Sequence, residues 1–394
     1  MNAPRSVLIL EAHARAAVEA IRSFLRLGVR VVAASDKRLY AGRFVRGMQR
    51  RVQYPSVVHA PEAFVAWLLK YLATHPTTAL FPLGDACVEL IARNQEAIRR
   101  HTRLFMPPYE RFETAFDKIL TNKAAAAAGV PIPRCWYPDE EGLDAPIKAA
   151  RFPVVVKPAV GVGARGIVRA DTAQELEQVW SAALAGPCRS FVQEFVPLGG
   201  RQYVVDALLD ESGRTVAAVA SQKVRFFPPR GGASTLSRSV PPGDLCRVSE
   251  KLLQAIGYYG IANVDLIEDT RDGVNGVLEI NPRFGEMHAI CRVAGVDMIR
   301  LYWQLAMGEP AEPTRTYQTD RYLRFLPTDL MWFLASPDRF GAKPSFLECF
   351  GSQVENVLSA QGDYGPSLGY LLENLALLAD PKALAYRFVR EKRH

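Results

Sequence analysis

The feature that most constrains this fold is the alternation, through the first 100 residues, of short apolar runs with amphipathic stretches. Val7–Leu10 reads as a buried strand, Ala12–Leu27 as a helix closing at Gly28, and Val29–Ala34 as a second strand. Ala63–Ala73 then has helical spacing, Ala79–Pro82 strand character, and Cys87–Arg99 helical spacing again. Strands that lack a polar face are covered on both sides, and βα units with short joints give a parallel sheet between helices. The first strand runs into Glu11-Ala12-His13-Ala14-Arg15 rather than GxGxxG. A Rossmann-like layer without that fingerprint scaffolds or binds substrate, and NAD is not expected.

The texture changes near Pro107-Pro108. Phe112–Ala128 is rich in helix formers, includes the alanine run Ala124–Ala128, and is closed by Gly129. From Val154 strands dominate: Val154–Lys157, Gly166–Ala170, Phe191–Phe195, Arg201–Leu209, Val216–Gln222, Gly260–Glu268 and Gly276–Ile280. Single helices interrupt them at Thr172–Leu184 and Asp244–Ile256. That proportion predicts an α+β layer, not a second doubly wound domain. After about Pro313 the chain is aromatic-rich and reads as mostly helical, ending in the basic Arg387–His394. The expected organisation is therefore a Rossmann-like domain over 1–110, an α+β domain over 111–312 and a small C-terminal helical extension over 313–394.

A chain of 394 residues is long enough for two or three cores, and 49% hydrophobic with 23% charged residues is the balance of a globular protein. Cys87, Cys135, Cys188, Cys246, Cys291 and Cys349 are scattered without a CxxC pair, which argues against zinc and disulfides and fits a reducing, cytoplasmic setting. The apolar run after Met1–Ser6 is too short for a signal peptide, and no stretch approaches the roughly 20 apolar residues of a membrane span. The charge of +7 comes from 48 basic and 41 acidic residues spread along the chain. Without basic blocks and interleaved aromatics, anionic small molecules are the expected partners, and neither nucleic acid nor membrane is.

Three constellations carry chemistry. Asp265 lies in Asn263–Glu268, Glu279 begins Glu279-Ile280-Asn281-Pro282-Arg283, and the joint 269–276 is turn-rich. A hairpin sets Asp265 beside Glu279, and Glu279 and Asn281, two apart on a strand, leave one face. Three oxygen donors with a nearby Arg suit Mg²⁺ on nucleotide phosphates; the plain alternative is a solvated acidic hairpin. Next, Val154-Val155-Val156-Lys157 delivers a lysine into Gly161-Val162-Gly163-Ala164-Arg165-Gly166, where backbone N–H groups can approach phosphate. The lysine precedes the glycines, so this is no Walker A loop. Finally, Phe191–Pro197 is a strand ending in Glu194-Phe195-Val196, a hinge whose backbone can pair with a purine edge.

In order and spacing these pieces resemble the ATP-grasp superfamily over about residues 112–310. The N-terminal layer resembles the domain that precedes ATP-grasp modules in carbamoyl-phosphate synthase large chains and biotin carboxylases. The run Pro228–Thr235 and the tail look like carboxylate–amine ligases related to D-aspartate ligase. The resemblance implies that Lys118 and Lys157 contact ATP phosphates and that Gly161, Gly163, Ala164 and Gly166 form the phosphate lid. It makes Glu194, Phe195 and Val196 the adenine hinge and puts Gln202 at the ribose position, where many relatives carry an acid. Asp265, Glu279 and Asn281 match the ligands of Mg²⁺, for which Mn²⁺ can substitute. Arg283 matches the residue that steadies an acyl phosphate, and Lys223 or Arg225 is within reach of the γ-phosphate.

The implied reaction is that of an ADP-forming carboxylate–amine ligase. A carboxylate attacks the γ-phosphorus, and an amine displaces phosphate from the resulting acyl phosphate. Two alternatives stand beside it, a bicarbonate-using carboxylase or carbamoyl-phosphate-type enzyme and a nucleotide-binding regulator without catalysis. No Met-Lys-Met biotin acceptor occurs in the chain. Substrate determinants are sought at the carboxyl ends of the N-terminal strands, in Glu11, His13, Asp36, Gly84 and Asp85, and beyond the hairpin in Glu286 and His288. Either histidine can serve as an acid–base group or simply pack. Tyr317, Tyr322, Phe325 and Trp332 in the tail are expected in the core, with lid closure or a homodimer face as alternatives.

Overall fold

A computed structural model describes residues 5–161, 166–186, 188–197, 199–229 and 232–378. The chain divides into two compact units, the first from Met1–Tyr109, Lys223–Pro241 and Arg283–His394, the second from Glu110–Gln222 and Pro242–Pro282. Both are discontinuous in sequence, which a linear division at 110 and 312 does not express.

In the first unit the apolar runs form the parallel sheet, ordered Arg50–Gln53, Arg30–Ser35, Ser6–Ile9, Ala79–Phe81. Val7 sits opposite Val31 on one side and Ala79 on the other. Val7, Leu8 and Ile9 are buried because Arg15–Arg26 and its neighbours cover the sheet. Phe24 and Phe81 meet edge to face at 5.1 Å, and Trp303 of Met298–Ala306 lies 5.4 Å from Phe24. Each such ring contributes about 1.5–3 kcal/mol through burial. The helix expected over Cys87–Arg99 starts earlier and is two helices, Asp85–Arg93 and Gln95–Arg99. Asn94 between them leaves helical geometry (φ −109°, ψ 14°), and its amide donates to the Leu90 carbonyl.

The tail contains strands as well as helices. Tyr322–Arg324 pairs antiparallel with Ala233–Ser239 and parallel with Val354–Asn356, and the helices are Leu326–Ala335 and Gly365–Leu378. Three-residue strands have no readable period, so the aromatic content of this region read as helix. Buried charge holds it together. Arg22 donates to Asp363 and to the carbonyls of Val357 and Leu358. Asp329 accepts from Arg225, Arg324 and Thr235.

In the second unit an antiparallel sheet runs Cys135–Trp136, Ser190–Glu194, Val154–Pro158, Val168–Ala170. Ala173–Leu184, capped by the Thr172 hydroxyl, packs Leu176 and Trp180 onto Trp136, Val154, Val156 and Val192. Further strands follow in the order Asn275–Asn281, Gly260–Glu268, Gln202–Leu209, Thr215–Phe227. Lys118–Ala127 is capped by Asp117, which accepts from the N–H groups of Ile119 and Leu120. Among the described residues no helix is long and apolar enough to cross a membrane.

Candidate functional site

The turn-rich joint does bring its flanking strands together, and Asp265 pairs with Glu279. Opposite residues of an antiparallel pair share a face, so the registers define three rungs. The first carries Asp206, Asn263 and Asn281, the second Val204, Asp265 and Glu279, the third Gln202, Ile267 and Gly276. The Asn263 amide donates to buried Asp206 at 2.7 Å, so these two side chains of the innermost rung satisfy each other. Asn281 Nδ2 donates to Asp265 at 3.2 Å and to Glu279 at 3.4 Å. Turning the amide by half a revolution would set its oxygen beside the two carboxylates. Two carboxylates and one amide oxygen are hard donors that fit Mg²⁺ or Mn²⁺ on phosphate. Among the described residues no set of three or more His, Cys, Asp or Glu gathers around a point, so a soft-metal centre has no ligands there.

Both lysines lie at this face. Lys118 Nζ is 3.2 Å from Glu279 Oε2 and 3.3 Å from the Gly161 carbonyl, while its backbone N–H donates to Ala159. Lys157 projects from Val154–Pro158 and donates to Gln193 Oε1 at 2.6 Å. Burial lowers the Lys157 pKa, Lys118 lowers it further, and Glu279 and Cys135 oppose the shift. Gln193 in turn donates to Cys135, whose thiol burial pushes up to about 11, so this cysteine acts as a packed polar group and not as a nucleophile. Gly161 and Gly166 are the described glycines of the sequence-predicted phosphate loop, and Gly166 has φ +76°. Gly163 and Ala164 lie outside the described residues.

At the hinge, the N–H groups of Glu194 and Phe195 donate to the carbonyls of Arg134 and Pro153. Val196 is buried beyond them. Arg169 lies over the Phe195 ring at 4.8 Å, and Arg271 approaches the Glu194 carboxylate at 3.6 Å.

The first unit gathers its own polar cluster at the carboxyl ends of its strands. Arg283 holds Asp85 through two parallel bonds of 2.6 and 2.8 Å. Glu11 sits at φ +52°, donates its N–H to the Tyr54 hydroxyl, and has a buried Oε2 with no hydrogen-bond partner. Gly84, at φ +68°, is needed there twice, since a Cβ would also fall 1.7 Å from that oxygen. Burial, then Asp36, Asp85 and Glu286, push the Glu11 carboxyl up to about 8 against the pull of Arg283. His13 bonds Ser35 at 2.9 Å, and burial with nearby Lys37 lowers its pKa, opposed by Asp36. Glu286 accepts from the Arg15 N–H, and His288 is buried against Phe284 as a packing residue.

Of the two basic residues considered for the γ-phosphate, Arg225 is committed elsewhere. It is 2% exposed, paired with Asp329 and stacked on Trp332, so the candidate is Lys223. Trp332 and Phe325 are core residues, and Tyr317 and Tyr322 are part-buried, Tyr317 donating to the Val240 carbonyl. Sequence reading missed Gln193, Asp206 and Arg271. A glutamine in the middle of an otherwise apolar strand was the available signal for Gln193. Nothing local points to Asp206, whose partner Asn263 lies 57 residues on, while Arg271 is bonded to its near neighbour Asp269 and reaches Glu194 only through the fold.

Residues 115–286 match the ATP-grasp domain family. The chain is 29% identical over 206 residues to a D-alanine–D-alanine ligase of Methylococcus capsulatus, covering 48% of this chain and 65% of the ligase. It is 22% identical over 356 residues to a carbamoyl phosphate synthase large chain of Thermotoga neapolitana, covering 84% of this chain and 32% of the synthase. Thus the chain spans about a third of that synthase and just under two thirds of the ligase. The fold is similar to that of a biotin carboxylase from Campylobacter jejuni, solved as a β,γ-ATP complex, with TM-score 0.67, 18% identity, and 81% and 74% of the two chains covered.

Proposed function

We propose that this chain, which belongs to the ATP-grasp superfamily, uses Mg-ATP to activate a carboxylate and couples it to an amine, releasing ADP and phosphate. The observation that carries the reading is the second rung of the sheet face, where Glu279 stands opposite Asp265 and 3.2 Å from Lys118. Asp265, Glu279 and Asn281 would hold the divalent cation, which when bound neutralises phosphate charge. Lys118 and Lys157 bind the ATP phosphates, and the glycine loop including Gly161 and Gly166 covers them. Glu194, Phe195 and Val196 receive the adenine, and Gln202 the ribose.

Phosphoryl transfer needs little covalent help, so alignment and fixed positive charge supply the rate. Arg283, aimed by Asp85, steadies the acyl phosphate, and Lys223 serves the transferred group; each such contact is worth on the order of 3 kcal/mol in the transition state. The cluster of Glu11, His13, Asp36 and Glu286 belongs to the substrate. In modular terms we assign 1–110, joined by Glu286, to substrate binding, the rest of 111–312 to nucleotide and metal, and 313–394 to a supporting extension. A cytoplasmic location, and a homodimer as one available assembly, accompany this reading.

The amine acceptor rests on the likeness to a D-alanine–D-alanine ligase. Bicarbonate as the activated acid is the second reading, favoured by the 84% of this chain that aligns with a carbamoyl phosphate synthase large chain. ADP release from Mg-ATP, measured across paired carboxylates and amines and across bicarbonate, separates them. Turnover that needs both a carboxylate and an amine supports ligation, and bicarbonate-dependent turnover without an amine replaces it. The absence of ADP release under every condition would leave a nucleotide-binding regulator.

A further inference from the structure

The strand Arg30–Ser35 ends in Asp36-Lys37-Arg38, and the chain returns through Ala41–Phe44 to the neighbouring strand Arg50–Gln53. Between them lies an open cleft of about 360 Å³, lined by Lys37, Arg38, Arg43, Arg51, Gln49 and Gln53 over the ring of Tyr40. The lining holds four cationic side chains and no carboxylate.

Two observations distinguish this cleft from a solvated basic surface. Two lining side chains are held in place: the Arg43 guanidinium donates to the Arg38 carbonyl at 2.8 Å, and the neutral Gln53 amide donates to the Asp36 carbonyl at 3.0 Å. Tyr40, only 2% exposed, packs closely enough to Arg43 and Arg51 that both lower its phenol pKa against the larger upward push of burial. Moreover, the charge is not balanced locally. Lys37 reaches Glu373 at 3.1 Å, while among the described residues Arg38, Arg43 and Arg51 have no acidic partner. Holding like charges around a concavity is unfavourable unless an anion completes it. The cleft lies at the edge of the parallel sheet, along the strand Arg50–Gln53 and beside the segment that follows Ser35.

We propose that this cleft binds a small molecule with a dianionic head, either a phosphate monoester or a pair of carboxylates. The guanidinium groups supply bidentate recognition, and Gln49 and Gln53 supply neutral donors at the rim. The volume is at the lower end for ligand pockets and admits a metabolite-sized anion, not a polymer. The inference does not depend on the ATP-dependent reading, because it uses none of the residues assigned to nucleotide or metal.

The test is calorimetric titration of the full chain with inorganic phosphate and, separately, citrate. Ionic strength is fixed, and the runs are made with and without saturating Mg-ADP. We expect saturable binding of at least one anion at one site per chain, retained with Mg-ADP present and within about twofold in Lys118→Ala. Arg38→Gln combined with Arg51→Gln should weaken it by about tenfold or more, as loss of charge-assisted contacts requires. If the double variant is not folded by circular dichroism, exposed Arg51→Gln alone is read, with a loss of about threefold or more expected. Phosphate preference assigns a phosphate monoester, and citrate preference a carboxylate pair. Non-saturable binding, insensitivity to the Arg substitutions, or loss in Lys118→Ala would overturn the proposal. A failure of Mg-ADP to bind would count only against the nucleotide assignment.

Discussion

Asp265 and Glu279 face each other across one rung of an antiparallel pair, and the ladder slips immediately beyond them. Leu266 pairs with Val277, so Leu278 is an extra residue on its strand. A bulge at this point bends the strand and re-aims the side chains beside it, a device found next to active sites. Its effect is to shift the register by one, so that Glu279 and not Leu278 faces Asp265, and Asn281 faces Asn263.

Lys157 is expected to matter for nucleotide affinity and not for stability. Its ammonium is partly desolvated and its pKa lowered, so removing the charge relieves a cost of folding. Lys157→Met should raise the ATP dissociation constant roughly 10–100-fold, the loss of one charge-assisted phosphate contact, with an unchanged or higher melting temperature. Calorimetric ATP titration beside a thermal melt checks both. A large fall in melting temperature would make Lys157 a structural residue.

Glu11 sets a pH dependence whose sign is fixed. With its carboxyl raised from 4.5 to about 8, the folded chain holds a proton there that the unfolded chain has lost. The stability from that proton is full below the unfolded pKa and is lost as pH rises through about 8. Relative to Glu11→Gln, the wild type should therefore lose ~1–3 kcal/mol of stability between pH 5 and pH 8. Parallel melts of both proteins would reveal it, and parallel pH profiles would show that Glu11 is not held neutral.

The buried charge cluster in the tail makes a stability prediction. Asp329 is fully buried and takes bonds from Arg225, Arg324 and Thr235. Asp329→Ala leaves two buried guanidinium groups unpaired and should cost about 3–5 kcal/mol. Denaturant unfolding of the two proteins measures this directly. A loss below about 1 kcal/mol would mean that the aromatic faces over Arg225 and Arg324 suffice by themselves.

Much of the fold was legible because its signals are local. Val7–Leu10 and the strand leading to Lys157 are apolar runs, and the turn-rich joint after Glu268 marks a hairpin that brings the strands of Asp265 and Glu279 together. The slip at Leu278 was not legible, since an inserted residue leaves no mark on an alternating pattern. Nor was the partnership of Asp85 with Arg283, which lie 198 residues apart. Each was visible alone, as a strand-end acid and a basic residue after a hairpin. Arg225 shows the reverse error: its strand position suggested phosphate, and only the tail's packing reveals Asp329 as its partner.

The central claim is that the Asp265–Glu279–Asn281 face holds the cation that carries ATP. The most direct measurement is ATP affinity with and without Mn²⁺ in the wild type and in Glu279→Gln. The account predicts that Mn²⁺ tightens ATP binding in the wild type, and that Glu279→Gln weakens Mn-ATP by roughly 10–100-fold. Metal-free ATP should bind the variant as well as before or better, because Lys118 loses its carboxylate partner. Equal Mn²⁺ enhancement in both proteins would contradict the assignment.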